Sequence, residues 1–183
     1  MKQFSNEIWV INDFWHTELC ENIINDLELS KMFVQSNETD INNGTIEENL
    51  KSRNKNRIIY ESEELAIEIW ELLKRYLVNE NLLINSIGIN EMFRFYKYQV
   101  GQEFKRHTDS SFIRNDAEKS SHSLLIYLND DFEGGITTFD ECKLNPVKGS
   151  AVFFPHDLEH SSTTITNGVK YILRSDIICR EVI

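Results

Sequence analysis

From residue 88 to about residue 178 the chain is a succession of short segments rich in β-branched and aromatic residues. They read "GINEMFRFYKYQVGQEF", "SHSLLIYLND", "GGITTFD", "GSAVFFP" and "VKYILRSDII". Turn residues separate them, and several such strands at modest spacing indicate a sandwich or a barrel. That pattern leaves little room for any other class of core.

The N-terminal part has a different character. "EIWVINDFW", residues 7–15, alternates and is expected to form a first strand. Thr17 can then cap a helix whose apolar residues Leu19, Ile23, Ile24 and Leu27 recur at helical spacing. A polar, asparagine-rich stretch over residues 34–57 reads as a long loop, a feature that in compact domains is usually functional or mobile. Ser62 can cap a second helix with Leu65, Ile69, Leu72, Leu73 and Tyr76 on one stripe. Helices first and strands later make an α+β chain, an antiparallel barrel backed by N-terminal helices. At 183 residues a single domain is expected over residues 1–183, with a helical support region and loop over 1–87 and the barrel core over 88–183.

The formal charge of −11 repels phosphate backbones, so general nucleic-acid binding is disfavoured, although a local basic patch is compatible with it. The three cysteines, Cys20, Cys142 and Cys179, are odd in number and far apart, which suits a reducing compartment and argues against a disulfide framework. The first residues lack the apolar core of a signal peptide, and no apolar run approaches membrane-spanning length. The expectation is a cytoplasmic protein without a membrane partner. Oligomeric state is not legible.

Within "FKRHTDSSF", His107 and Asp109 lie two residues apart. On a strand, residues i and i+2 share a face, so an imidazole nitrogen and a carboxylate oxygen can meet one metal ion. The pair alone is cheap, since such dipeptide spacings arise by chance. Two histidines and one carboxylate with open positions on one side suit non-haem Fe(II). The third ligand must come from His16, His122, His156 or His160.

The ordered pieces "FRFYKYQVGQEFKRHTD", "SLLIYLND", "GGITTF", "VKGSAVFFPHDLEH" and "NGVKYILRSD" together carry a resemblance. From about residue 90 to 178 the chain resembles the 2-oxoglutarate- and Fe(II)-dependent dioxygenases, and most closely their prolyl-4-hydroxylase-like branch. The resemblance implies a double-stranded β-helix, the jelly-roll or cupin-like barrel, with supporting N-terminal helices. It also implies iron ligation by His107, Asp109 and His160, with His156 as the rival for the last place. A basic residue follows the second histidine at a step of ten, here Lys170, and would take the distal carboxylate of 2-oxoglutarate. Tyr98 and Tyr127 match pocket-lining tyrosines of the family.

Lys170, Ile172, Arg174 and Asp176 share one strand face, so two cations point the same way and need anionic partners. Arg174 can pair with Asp176, reach the metal-side carboxylate or bind substrate. Arg94 lies in phase with Tyr96 and Tyr98 and is a candidate for a substrate carboxylate or phosphate. In the basic run over residues 51–57, Asn56 and Arg57 are further substrate candidates, because they lead into the strand-like "IIY".

The cofactors implied are Fe(II), 2-oxoglutarate and O2, with ascorbate as an optional reductant. The reaction implied is oxidative decarboxylation of 2-oxoglutarate to succinate and CO2, coupled to hydroxylation of a substrate C–H bond. The carboxylate at Asp109 favours hydroxylation over halogenation, because the family's halogenases lack it. The expected substrate is an amino-acid side chain, peptidyl (proline by default) or free. The partner is therefore a peptide, a protein or a small molecule. The alternatives are another small metabolite or a nucleobase, or a catalytically silent jelly-roll binding module.

Overall fold

The structure, a computed structural model, describes residues 1–5, 7–30, 34–35, 56–79 and 83–180. Two helices are present among them, α1 (Thr17–Ser30) and α2 (Glu63–Asn79). The strands are β1 (Lys2–Gln3), β2 (Trp9–Ile11), β3 (Val34–Gln35), β4 (Asn56–Glu61), β5 (Ser86–Ile89), β6 (Met92–Tyr98), β7 (Phe104–His107) and β8 (Ile113–Asn115). They continue as β9 (Glu118–Tyr127), β10 (Glu133–Gly134), β11 (Thr137–Phe139), β12 (Lys143–Leu144), β13 (Ala151–Pro155), β14 (His160–Ser162), β15 (Ile165–Asn167) and β16 (Lys170–Arg180).

The large sheet has the order β1-β2-β13-β9-β16-β6-β4-β3, with β5 also paired to β16 and β8 to β9. A second sheet has the order β12-β11-β14-β7, and β10 pairs with β15. Every pairing is antiparallel. The two sheets enclose a jelly-roll barrel, the double-stranded β-helix anticipated from the sequence.

Both faces of the large sheet are covered, and the period-two alternation assigns each residue to a side. Phe93 and Phe95 of β6, Leu124 and Ile126 of β9, Phe153 of β13 and Leu173 of β16 pack with helix residues such as Ile69 and Leu73. The alternate residues Tyr96, Tyr98, Leu125, Tyr127, Phe154 and Ile172 pack instead with Phe139 and Leu144 of the second sheet. Two cores therefore share one sheet, and the second core is the barrel interior.

The helix stripes follow the same physics. The Ser62 hydroxyl accepts the Leu65 N–H at 3.1 Å, which satisfies one of the free donors at the start of α2. Ala66, Ile69, Leu73 and Leu77 are the buried positions of this helix, with Leu65, Leu72 and Tyr76 flanking them. Helix α1 begins at Thr17, and the carbonyl of His16 accepts the Cys20 N–H, so His16 is a helix-start residue and is exposed.

Two expectations change. The first strand is shorter than residues 7–15, because Asp13 turns the chain with φ 52° and sends Phe14 and Trp15 into the helix-side core. The sheet also does not begin at residue 88. β2 pairs with β13, β4 pairs with β6, and β5 starts at Ser86, so the N-terminal part supplies strands as well as helices. No helix among the described residues is long and apolar enough to cross a membrane.

Phe153 is fully buried and stacks on Trp9 at 6.4 Å. Phe153→Ala is expected to cost about 3–5 kcal/mol of stability through lost burial and a cavity. Ile59→Ala, at a position 48% exposed, should stay within about 0.5 kcal/mol. Urea denaturation of the two variants checks this contrast.

Candidate active site

The second sheet creates the first part of the site by register. His160, the first residue of β14, is the cross-strand partner of His107, the last residue of β7. Residues opposite one another on an antiparallel pair bring their side chains together, and here the imidazole centroids stand 4.3 Å apart. Asp109 lies beyond the end of β7, so the strand ladder does not place it. Its N–H donates to the His156 carbonyl at 2.8 Å, and this bond folds its carboxylate back towards the two rings.

Each histidine is oriented by a backbone carbonyl. Nδ1 of His107 lies 2.8 Å from the Lys105 oxygen, and Nδ1 of His160 lies 3.0 Å from the Leu158 oxygen. A carbonyl only accepts, so both Nδ1 atoms carry hydrogen and both Nε2 atoms present lone pairs. Each Nε2 is 3.6 Å from an Asp109 oxygen, too far for a hydrogen bond. Nε2 of His107 is buried with no hydrogen-bond partner. Two nitrogen lone pairs and a carboxylate oxygen thus converge within 4.8 Å of one another, a donor set that fits one divalent cation of the Fe(II) type.

Electrostatics favour that use. Burial pushes the Asp109 carboxyl up, but the His107 imidazole, the Arg174 guanidinium, His160 and the Ser123 hydroxyl outweigh it and hold the group below the ordinary carboxylate range. Burial pulls His160 down to about 4, so at neutral pH its imidazole is neutral, as a ligand must be.

A polar chain that sequence reasoning missed supports Asp109 from behind. Ser120 Oγ lies 2.8 Å from His156 Nε2, His156 Nδ1 lies 3.0 Å from Ser123 Oγ, and Ser123 donates to Asp109 Oδ2 at 2.5 Å. His156 is therefore buried and hydrogen-bonded on both ring nitrogens rather than turned to solvent. His122 stands apart from the three donors, with Nδ1 2.8 Å from Ser121 Oγ. Arg106 pairs with Glu159 at 2.7 Å and with Asp140, tying β7 to the entrance of β14.

The donors open on a cavity of about 350 Å³ lined among others by Tyr98, Thr137, Ser162, Arg94 and Arg57. Deeper in the barrel stands Lys170, wholly buried. Its ammonium donates to the Gly135 carbonyl at 2.6 Å and to Ser162 Oγ at 3.2 Å, and it lies 5.4–5.9 Å from the Tyr127, Tyr98 and Phe132 rings. It forms no ion pair with an acid among the described residues. A β-carbon at Gly135 would meet Phe132 at 2.9 Å and Lys170 at 3.1 Å, which explains glycine at this approach.

Tyr127 is not part of the cavity wall. Its hydroxyl is committed to Thr137 Oγ1 at 2.6 Å, and it stands one layer behind. Arg174 spans Asp109 at 3.0 Å and Asp176 at 3.1 Å, so the second inward cation already has its anions. The backbone of Asn56 belongs to β4, but its side chain lies outside the described residues, as do residues 51–55 of the basic run.

Residues 93–175 match the family model of the 2OG-Fe(II) oxygenase superfamily. No curated protein matches the sequence. Among solved structures the chain is similar to the viral collagen prolyl hydroxylase of Paramecium Bursaria Chlorella virus-1 in its 2OG complex. The TM-score is 0.67 at 19% identity, over 96% of this chain and 97% of that one. It is also similar to a Pseudomonas putida prolyl-4-hydroxylase, with TM-score 0.68 at 16% identity over 96% and 94% of the two chains. A third is a Trichoplax adhaerens prolyl hydroxylase in complex with a hypoxia inducible factor peptide, with TM-score 0.63 at 16% identity over 94% and 84%. The match to the 2OG-Fe(II) oxygenase model covers residues 93–175 and includes both the Asp109 and His160 ends of the donor set, and it supports a 2-oxoglutarate-dependent dioxygenase.

Proposed function

We propose that this dioxygenase hydroxylates an amino-acid side chain, with proline as the first candidate. In this reading His107, Asp109 and His160 hold Fe(II), and Lys170 with Tyr98 receives the distal carboxylate of 2-oxoglutarate. One observation carries the assignment: three convergent donors open on a cavity lined by Ser162, and behind Ser162 stands a buried ammonium that bonds to its hydroxyl and has no acid beside it among the described residues. A buried cation left unpaired is costly, and a dicarboxylate reaching in from the metal would supply the missing charge. The choice of an amino-acid side chain rests on likeness in fold to prolyl hydroxylases, one of which was solved with a peptide.

Iron with 2-oxoglutarate supplies the oxidising power for a C–H bond, and the protein's own residues do the remaining work. Lys105 and Leu158 carbonyls keep the Nε2 atoms aimed at the metal position. Arg174 and Ser123 hold Asp109 ionised and fix its rotamer. Tyr98, Phe104 and Ile172 make the nearby wall apolar and limit water. The test is succinate formation from 2-oxoglutarate with Fe(II) under air, over a panel of amino acids and prolyl peptides. Turnover stimulated by one class is expected. Absence of turnover together with absence of iron-dependent 2-oxoglutarate binding would sink the reading.

A further inference from the structure

The wall of the cavity away from Lys170 carries a charge imbalance that iron and 2-oxoglutarate do not resolve. Arg94 on β6 is the cross-strand partner of Arg174 on β16, and both face the barrel interior. Two cations directly opposite on a sheet repel unless an anion stands between them. Asp176 stands there, with Oδ1 3.1 Å from Arg174 and Oδ2 3.6 Å from Arg94. Arg174 also takes Asp109, and Asp176 Oδ2 accepts from Asn90 Nδ2 at 3.1 Å. Asp176 is thus shared, and the nearer share goes to Arg174.

Arg94 is left under-satisfied. Its Nη1 is buried and makes no hydrogen bond, and its Nη2 reaches only the Met92 sulfur at 3.5 Å, a weak acceptor. Arg57 of β4 pairs in register with Tyr96 and lines the same cavity. Of the inward pair, Arg174 takes both Asp109 and the nearer oxygen of Asp176, so Arg94 keeps only the 3.6 Å contact to Asp176. A divalent metal bound at Asp109 adds positive charge, and a dicarboxylate beside Lys170 only offsets the metal and that lysine. The excess at Arg94 remains.

We infer that Arg94 receives a carboxylate of the substrate, so the enzyme acts on an amino acid whose α-carboxylate is free, not on an internal residue of a peptide. The planar guanidinium fork matches a carboxylate in two parallel hydrogen bonds, which also fixes orientation. The ion-paired path Arg94–Asp176–Arg174–Asp109 then links the substrate anchor to the metal ligand, so the bound carbon skeleton would lie over the donors. This inference rests on the function proposed above and narrows its substrate class.

The test uses the full chain with Fe(II) and 2-oxoglutarate under nitrogen, titrated calorimetrically. The probes are the free L-amino acids, their α-amides, short peptides ending in the same residues, internal prolyl peptides and inorganic phosphate. At least one free amino acid is expected to bind, with its amide and internal peptides about tenfold weaker or worse. Tight binding of the C-terminal peptides as well would assign the carboxylate to a chain end rather than a free amino acid, within the same chemistry. Arg94→Gln should weaken the acid about tenfold or more and leave 2-oxoglutarate binding within about twofold, and Arg94→Lys should recover part of the loss. The inference is overturned if amides bind as well as acids, if phosphate is the only anion bound, if no carboxylate binds, or if Arg94→Gln changes nothing. Failure of 2-oxoglutarate itself to bind would instead remove the underlying function.

Discussion

His107→Ala is expected to abolish 2-oxoglutarate turnover while leaving the fold nearly as stable as before. The two halves follow from one observation. His107 Nε2 has no hydrogen-bond partner inside the protein, so its removal breaks no internal bond at that atom. The remaining bond, Nδ1 to the Lys105 carbonyl, is partly exposed and worth about 1 kcal/mol. As a ligand, however, the same atom is one of three. Disturbing only the groups that orient ligands lowers metal affinity or activity by about 10–100-fold, and loss of a ligand should exceed that. Iron retained per chain after dialysis, succinate formed and a urea melt measure the three quantities. A variant that keeps a tenth of the turnover would show that His107 is not a ligand.

The barrel was legible because strand alternation is a short-range pattern, whereas the donor set was suggested only by the family resemblance, with His160 far along the chain from His107 and Asp109. Alternation along "VKYILRSD" correctly places Lys170, Ile172, Arg174 and Asp176 on the interior face, and the structure pairs that face with Tyr98, Tyr96 and Arg94 in register. Ser62 caps its helix as its position suggests. What stayed hidden depends on residues distant in sequence. His156 and Ser120 are 36 positions apart, and Ser123 and Asp109 are 14 apart, so no local period announces that they form one hydrogen-bonded chain. The recruitment of β4 to the large sheet is of the same kind, since strand pairing is set by tertiary packing and not by propensity. Tyr127, which the resemblance put among the pocket tyrosines, has its ring 5.4 Å from the Lys170 ammonium and its hydroxyl on Thr137 Oγ1, a bond across ten positions that no local period shows.

The competition between the two inward cations was also undecidable from spacing, because both residues occupy the same face of one strand. Geometry separates them by their partners. Arg174 is balanced by two carboxylates, so burial lowers its proton affinity less than Asp109 and Asp176 raise it. Lys170 has only a carbonyl and a hydroxyl, and burial pulls its ammonium down to about 7. In the proposed function Arg174 holds Asp109 in place and Lys170 receives the anion.

Lys170→Met should therefore weaken 2-oxoglutarate binding by about a hundredfold or more, since truncating one side of a buried charge pair costs about 2–5 kcal/mol. Arg174→Met should act differently. It leaves Asp109 buried without its guanidinium and Asp176 with only the more distant Arg94, which costs about 3–5 kcal/mol of stability. Lys170→Met should not destabilise the ligand-free protein comparably, because it removes a buried group whose charge is already disfavoured. The pH dependence gives an independent check. A lysine with pKa 10.5 when unfolded and about 7 when folded binds more protons in the unfolded chain between those values. Ligand-free stability should consequently rise as pH increases from about 7 towards 10.5, and Lys170→Met should flatten that rise. A bound 2-oxoglutarate restores the ammonium, so its affinity should fall over the same interval and its binding should take up a proton. Calorimetry in two buffers of different ionisation enthalpy reads that uptake. If Arg174→Met, with its fold intact, loses 2-oxoglutarate more severely than Lys170→Met, the anchor is the arginine and the buried lysine has another role.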